Sequence, residues 1–131
     1  MLKLDRIEEA LKLLDQAASY NQDKESMSNI YDAISQCYHK LKDYEQAYDN
    51  YSSAIEKDPR NVEIRKHRAQ CSYDQGEYEE AIKDLYTALQ QDTKDAEIMY
   101  RLGLTYYAHQ RYKKCCKFMK LALDNNPFRK Y

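Results

Sequence analysis

Four cysteines and three histidines are the side chains of this 131-residue chain that could hold a metal or run thiol chemistry. A zinc site gathers closely spaced pairs of such ligands. The thiols here are Cys37, Cys71 and the adjacent Cys115 and Cys116, and no CxxC pair occurs. His39, His67 and His109 fall on separate predicted helices. His39 and His67 could share a face, where contact with a peptide or with water is the expected role. Buried thiols acting as small hydrophobes account for all four cysteines, and unpaired thiols imply a reducing, cytoplasmic compartment. No phosphate-binding glycine loop, nucleophile motif or carboxylate pair in a catalytic setting is present. The residues describe a non-enzyme with no implied cofactor.

A 34-residue period positions these side chains. Tyr44, Tyr78 and Tyr112 obey it; so do Ala47, Ala81 and Cys115, and Ala54, Ala88 and Ala122. A large apolar residue (Tyr51, Leu85 or Met119) sits between the small ones, and Pro59 and Pro127 lie two periods apart. Self-similarity at this spacing marks a solenoid of stacked helical hairpins, whose small positions let the helices of a hairpin approach. Enlarging one of them should cost about 1–3 kcal/mol, and truncating Leu85 or Met119 to Ala about 2–5 kcal/mol.

Three repeats are expected over 28–61, 62–95 and 96–131, the last including the start of a following segment. Asn61 and Asp95 precede first helices as caps, and Gly76 marks a turn that Lys42 and Gln110 must make without glycine. Residues 8–17 mirror 79–88, so 1–27 holds the second helix of a preceding partial repeat plus a loop over 19–27. The chain therefore reads as an interior piece of a longer array.

The charge balance is nearly neutral overall but uneven along the chain. Residues 1–61 hold 8 basic against 12 acidic side chains and residues 62–131 hold 13 against 10. A net charge of −1 gives no reason to expect nucleic acid. No stretch is long and apolar enough to predict a membrane helix. Arg111, Lys113, Lys114, Lys117 and Lys120 crowd one predicted helix, which is expected to be a solvated face.

With Tyr31, Ile34, Tyr38, Tyr44, Ala47, Tyr51, Ala54 and Pro59 in the first repeat, and Met99, Leu102, Gly103, Tyr106, Tyr112, Met119, Ala122 and Pro127 in the third, the chain resembles the tetratricopeptide repeat family. The middle repeat keeps Ala69, Gly76, Tyr78, Ala81, Leu85 and Ala88 but has Arg65 and Arg68 where apolar residues are usual. The resemblance implies an all-α fold: a right-handed superhelical solenoid of antiparallel helix pairs, about seven helices in all. It also implies that Arg68 faces Asp84, each the odd residue of its row, as a structural ion pair.

The same resemblance implies a concave groove lined by first helices that holds an extended peptide or a partner helix. The groove positions are Asn29, Asp32, Gln36 and His39, then Lys66, His67, Gln70 and Tyr73, then Tyr100, Arg101, Leu104 and Tyr107. Tyr73, Tyr100, Arg101 and Tyr107 are of the types enriched at binding hot spots. Relatives that clamp a chaperone's C-terminal carboxylate use five Lys, Asn and Arg side chains. The matching places here are Asp32, Gln36, His67, Glu97 and Arg101; only Arg101 conforms, and two acids would repel the ligand. A chaperone tail is therefore not the expected partner. The expected function is a protein-interaction scaffold or adaptor. The alternatives are an architectural segment of a larger assembly, or the targeting domain of an enzyme encoded elsewhere in a parent protein.

Overall fold

Short polar caps and glycine-like turns cut the sequence into helices at nearly the period itself. The computed structural model describes residues 2–20 and 23–126. Among them run α1 (Leu2–Tyr20), α2 (Lys24–Lys40), α3 (Tyr44–Lys57), α4 (Val62–Asp74), α5 (Tyr78–Gln91), α6 (Ala96–Ala108) and α7 (Tyr112–Asp124), with no strand. Pro127 and Phe128, expected in the third repeat, lie outside the described residues. The extra residues assigned to a loop over 19–27 are instead mostly helical, because α1 continues to Tyr20 and α2 starts at Lys24. Asp23 supplies the early start, its carboxylate accepting from the Ser26 amide at 3.1 Å.

Asp43, Asn61 and Asp95 cap α3, α4 and α6 in the same way, each accepting from backbone amides of the first turn. Inside each hairpin three residues join the helices: 41–43, 75–77 and 109–111. Gly76 has φ 81°, and Lys42 and Gln110 adopt the same left-handed conformation at 63° and 62°. The turn closes by backbone bonds alone. Asp43, Glu77 and Arg111 donate to the carbonyls of Tyr38, Ser72 and Tyr106, so the helix-ending motif holds even where a side chain makes it costly.

The hairpins α2–α3, α4–α5 and α6–α7 stack so that α4 packs on α3 and α6 packs on α5, with α1 against α2. Ala47, Ala54, Ala81 and Ala88 are fully buried at the seams, and Tyr51, Leu85, Ile64, Ile98 and Leu102 fill the space between layers. The outermost helix departs from this pattern. Cys115, Met119 and Ala122 are only half-buried, so truncating Met119 removes less contact than the full-burial estimate implies. The cysteine expectation also needs correction. Cys71 is buried, Cys37 and Cys115 are half-buried, and Cys116 points outward because α7 has no neighbour on that side among the described residues.

Candidate functional site: the concave face

The inner faces of α2, α4 and α6 meet side by side, and cross-repeat contacts join them. His67 Nδ1 lies 2.9 Å from Asp32 Oδ1, and His39 Nε2 lies 2.7 Å from Asp74 Oδ2. Both links span one period plus one residue, the offset at which neighbouring first helices touch. Gln70 donates to the other oxygen of Asp74 at 2.9 Å, and Arg101 donates to Gln70 Oε1 at 2.7 Å and to Glu97 at 3.1 Å. A continuous polar chain thus crosses all three helices.

Five of the expected groove residues line one cavity of about 480 Å³: Gln36, His39, His67, Gln70 and Arg101. Asp74, Lys40, Lys42, Tyr44 and Tyr51 complete it. Tyr51 forms its floor, with the His39 ring edge-on and the His67 ring tilted against it. Burial, with the Asp32 charge behind it, pushes the Tyr51 hydroxyl up, so it stays a neutral donor. Tyr73 and Leu104 border a smaller apolar slot of about 110 Å³ with Ala69, Leu85 and Thr105, and Gln70 and Arg101 form the wall shared with the cavity.

The remaining expected residues are not part of this arrangement. Asn29 is exposed and borders neither hollow. Tyr100 and Tyr107 are 50% and 62% exposed but line neither the cavity nor the slot, and Tyr107 meets Tyr112 edge-on. Lys66 is buried instead of lying open to a ligand. Its ammonium sits 2.9 Å from Asp95, 3.2 Å from Glu63 and 3.4 Å from Glu97. Burial alone would lower its pKa, but the hydrogen bonds to Asp95 and Glu63 outweigh that and raise it. Lys66 therefore ties α4 to α6. The outlier pair of the middle repeat is in direct contact, with Arg68 Nη2 2.6 Å from Asp84 Oδ1.

Sequence reasoning treated Tyr51 as core alone. Asp74 keeps groove register in the second repeat, and it lies 35 residues from His39 as His67 lies 35 from Asp32. Tyr51 carries no such signal, because it reaches the groove floor from a second helix.

The groove residues offer donors, acceptors and cationic groups but no activated nucleophile. Both imidazoles bond carboxylates. Burial pushes the Cys71 thiol up to about 11, far from a reactive thiolate. His67 is raised above its ordinary value by the Asp32 hydrogen bond, against the opposing effect of burial. Among the described residues no three His, Cys, Asp or Glu side chains gather as a metal site, and no helix is long and apolar enough to cross a membrane.

Comparison with known families and folds agrees with this architecture. Family profiles described as TPR repeat and Tetratricopeptide repeat match residues 72–110 and 96–129. Residues 3–87 match the family described as anaphase-promoting complex, cyclosome, subunit 3. No curated protein sequence gives a significant match. Among solved structures, the first TPR of Spaghetti (RPAP3) bound to the HSP90 peptide SRMEEVD is 20% identical with a TM-score of 0.73, over 79% of this chain and 82% of that one. YrrB, a TPR protein with an unusual peptide-binding site, is 20% identical with a TM-score of 0.80, over 95% of this chain and 62% of its own. The Arabidopsis OM64 TPR domain is 22% identical with a TM-score of 0.74, over 82% and 88%. Three repeats in register, profiles that together run from residue 3 to residue 129, and a shared fold identify the chain as a member of the tetratricopeptide repeat family, a family of protein-interaction modules.

Proposed function

We propose that the concave face binds an extended peptide or a single helix of a partner protein, and that the chain acts as an adaptor. The observation carrying this reading is the convergence of Gln36, His39, His67, Gln70 and Arg101, from three successive first helices, on one cavity beside an apolar slot. A cavity with polar walls and a neighbouring slot suits a chain that hydrogen-bonds along its backbone and inserts one apolar side chain.

A chaperone's carboxylate tail is not the ligand in this proposal. Asp32 and Glu97 hold two of the five clamp places, and Arg101 already donates to Glu97. An intracellular, reducing setting is supported by four free thiols. A binding role without catalysis is supported by the suppressed Cys71 thiol.

The test is recovery of partners from cytosolic extract on the intact chain and on a His67→Ala/Arg101→Ala variant of matched thermal stability. A partner lost only with the variant, and mapped to a short linear segment, supports the proposal. Equal recovery by both would reject it.

A further inference from the structure

The middle repeat breaks the period at Ser72. Tyr38 and Tyr106 hold the same place one period before and after it. In the third repeat the Tyr106 ring stacks on Phe118 of α7, and its hydroxyl donates to that of Tyr86 on α5 at 3.1 Å. One aromatic side chain thus fills the space between two successive second helices. Ser72 is too short to do this between α3 and α5. Arg68 takes over part of the space, reaching Ser52 and Asp84, which stand where Tyr86 and Phe118 stand one period later. The rest is a hollow of about 390 Å³ bounded by α3, the end of α4 and the start of α5. It shares no residue with the concave cavity or the apolar slot.

The walls of the hollow carry one sign of charge. Glu45 and Asp49 come from α3, and Glu77 and Glu80 from the cap and first turn of α5; no basic residue among those described lines it. One period later the same four places hold Glu79, Lys83, Arg111 and Lys114, one acid against three bases. The acidity therefore belongs to this layer and not to the repeat as such. The C-terminal end of α4, at Gln75, adds its partial negative charge. Two cations stand near. Arg68 lies over the Tyr48 ring at 5.1 Å, but Asp84 neutralises it through two hydrogen bonds. Lys83 reaches Glu80 alone, at 3.5 Å with its side chain 74% exposed, a contact that water screens.

An unsatisfied hydroxyl marks the same place. Ser72 lines the hollow and is 1% exposed, and its Oγ has no hydrogen-bond partner. The other buried serine and threonine hydroxyls are satisfied: Ser28 donates to Ala54, and Ser35 and Thr105 donate to the carbonyl four residues back. A buried polar atom without a partner calls for a group that the hollow receives. Among the described residues no three carboxylates gather closely enough for a metal ion, so the group is an extended cation. We propose that this hollow is a second binding site, separate from the concave cavity, for one arginine side chain in a basic segment of a partner protein. The aliphatic stem of that arginine lies along Tyr48, in the space that Tyr106 fills one layer on. Its guanidinium donates to Glu45, Asp49 and Glu80 and to the Ser72 hydroxyl. A planar fork of five N–H donors can meet several separated acceptors at once, which a compact, strongly hydrated ammonium cannot.

Blocked peptides with a central arginine, lysine or citrulline between glycines test this by NMR titration of the full 131-residue chain. Citrulline keeps the shape of arginine without its charge. The arginine peptide should shift the backbone amides of Tyr48, Ser72 and Glu77. It should bind at least about tenfold more tightly than the citrulline peptide and about threefold more tightly than the lysine peptide, with the first gap narrowing in salt. Glu45→Gln/Asp49→Asn/Glu80→Gln changes three exposed side chains and should weaken binding at least about tenfold. Ser72→Ala should raise the melting temperature of the free chain, since it removes an unpaired buried hydroxyl, and yet weaken arginine binding about threefold. Ser72→Tyr restores the residue of the neighbouring repeats and should abolish binding. The groove variant His67→Ala/Arg101→Ala should bind all three peptides unchanged.

Absence of binding, equal affinity for arginine and citrulline, or loss only in the groove variant would overturn the proposal. Putrescine binding more tightly than the arginine peptide would overturn it in favour of a free diamine as the occupant. Circular dichroism checks that each variant folds, and the exposed triple variant decides the matter if Ser72→Tyr does not. The two sites are probed by different variants, so failure here leaves the groove reading untouched.

Discussion

Arg68 grips Asp84 with two parallel hydrogen bonds, Nη2 to Oδ1 at 2.6 Å and Nε to Oδ2 at 2.8 Å, across the middle hairpin. The guanidinium also donates to Ser52 at 3.0 Å and lies over the Tyr48 ring. In the third repeat the same two places hold Leu102 and Phe118, both buried in the apolar core. Two chemistries, one ionic and one apolar, therefore close the same seam. Removing one ion leaves the other buried and unpaired, so Asp84→Ala should destabilise by about 3 kcal/mol. Arg68→Leu/Asp84→Phe, which imports the third-repeat residues, should recover most of that loss. Urea unfolding of Asp84→Ala checks the first statement, and that of the parent, Arg68→Leu, Asp84→Phe and the double variant checks the second; absence of coupling in this cycle would reject it.

The three hairpin turns share one backbone shape but not one residue. Lys42 and Gln110 pay the left-handed penalty that Gly76 avoids. Lys42→Gly and Gln110→Gly should each stabilise by about 0.5–1 kcal/mol, after the entropy lost by glycine is deducted. Gly76→Ala should destabilise by about 1 kcal/mol, although nothing lies within 4 Å of the added carbon. Thermal melts of the three variants should give these opposite signs.

His67 gives the fold a pH dependence. Its folded-state pKa is raised by the Asp32 hydrogen bond. A raised pKa contributes stability that is fully present below the ordinary value of 6.5 and is lost as pH rises through the folded-state value. Stability should therefore decline on the alkaline side of 6.5, and His67→Gln should flatten that decline. Denaturant midpoints of both proteins across this range test it. A decline of equal size in the variant would remove His67 as its source.

Lys66 joins α4 to α6 through Asp95, and the carboxylates respond accordingly. Burial alone would raise Asp95, but the Lys66 hydrogen bond and charge outweigh it and lower its pKa. Lys66→Met keeps the packing and removes the ion, and should cost about 2 kcal/mol near neutral pH. Glu97 is half-exposed and adds little to that. The depressed Asp95 contributes stability that is lost as pH falls through its folded-state value, so the gap between the two proteins should close in acid. Acid titration followed by circular dichroism measures that gap.

The fold was legible because the period repeats backbone requirements, and those are local. Asn61 and Asp95 announce helix starts by chemistry that needs no neighbour, and Gly76 announces a turn. The site was legible only in part. Gln36, His39, His67, Gln70 and Arg101 share a cavity because they repeat on one helix face. Lys66 obeys the same spacing but is drawn inward by Asp95 and Glu97, acids that no rule about its own helix includes. Tyr100 keeps groove register, yet it borders a hollow formed with Met119 and Leu123. Periodicity fixes direction around a helix axis; which neighbour captures a long side chain depends on the next layer.

Each helix described packs mainly on the helices just before and after it, with smaller contacts between α2 and α4 and between α4 and α6. Ordering such a chain never requires closing a long loop, so any hairpin can form first and recruit its neighbours, and folding should be fast. The middle hairpin, covered on both sides, should be the last to release its amide protons to solvent, and α1 and α7 the first. A helix packed over α7 would then do more than cover it: it would turn a fraying end into an interior layer and slow exchange through the hairpins beneath it.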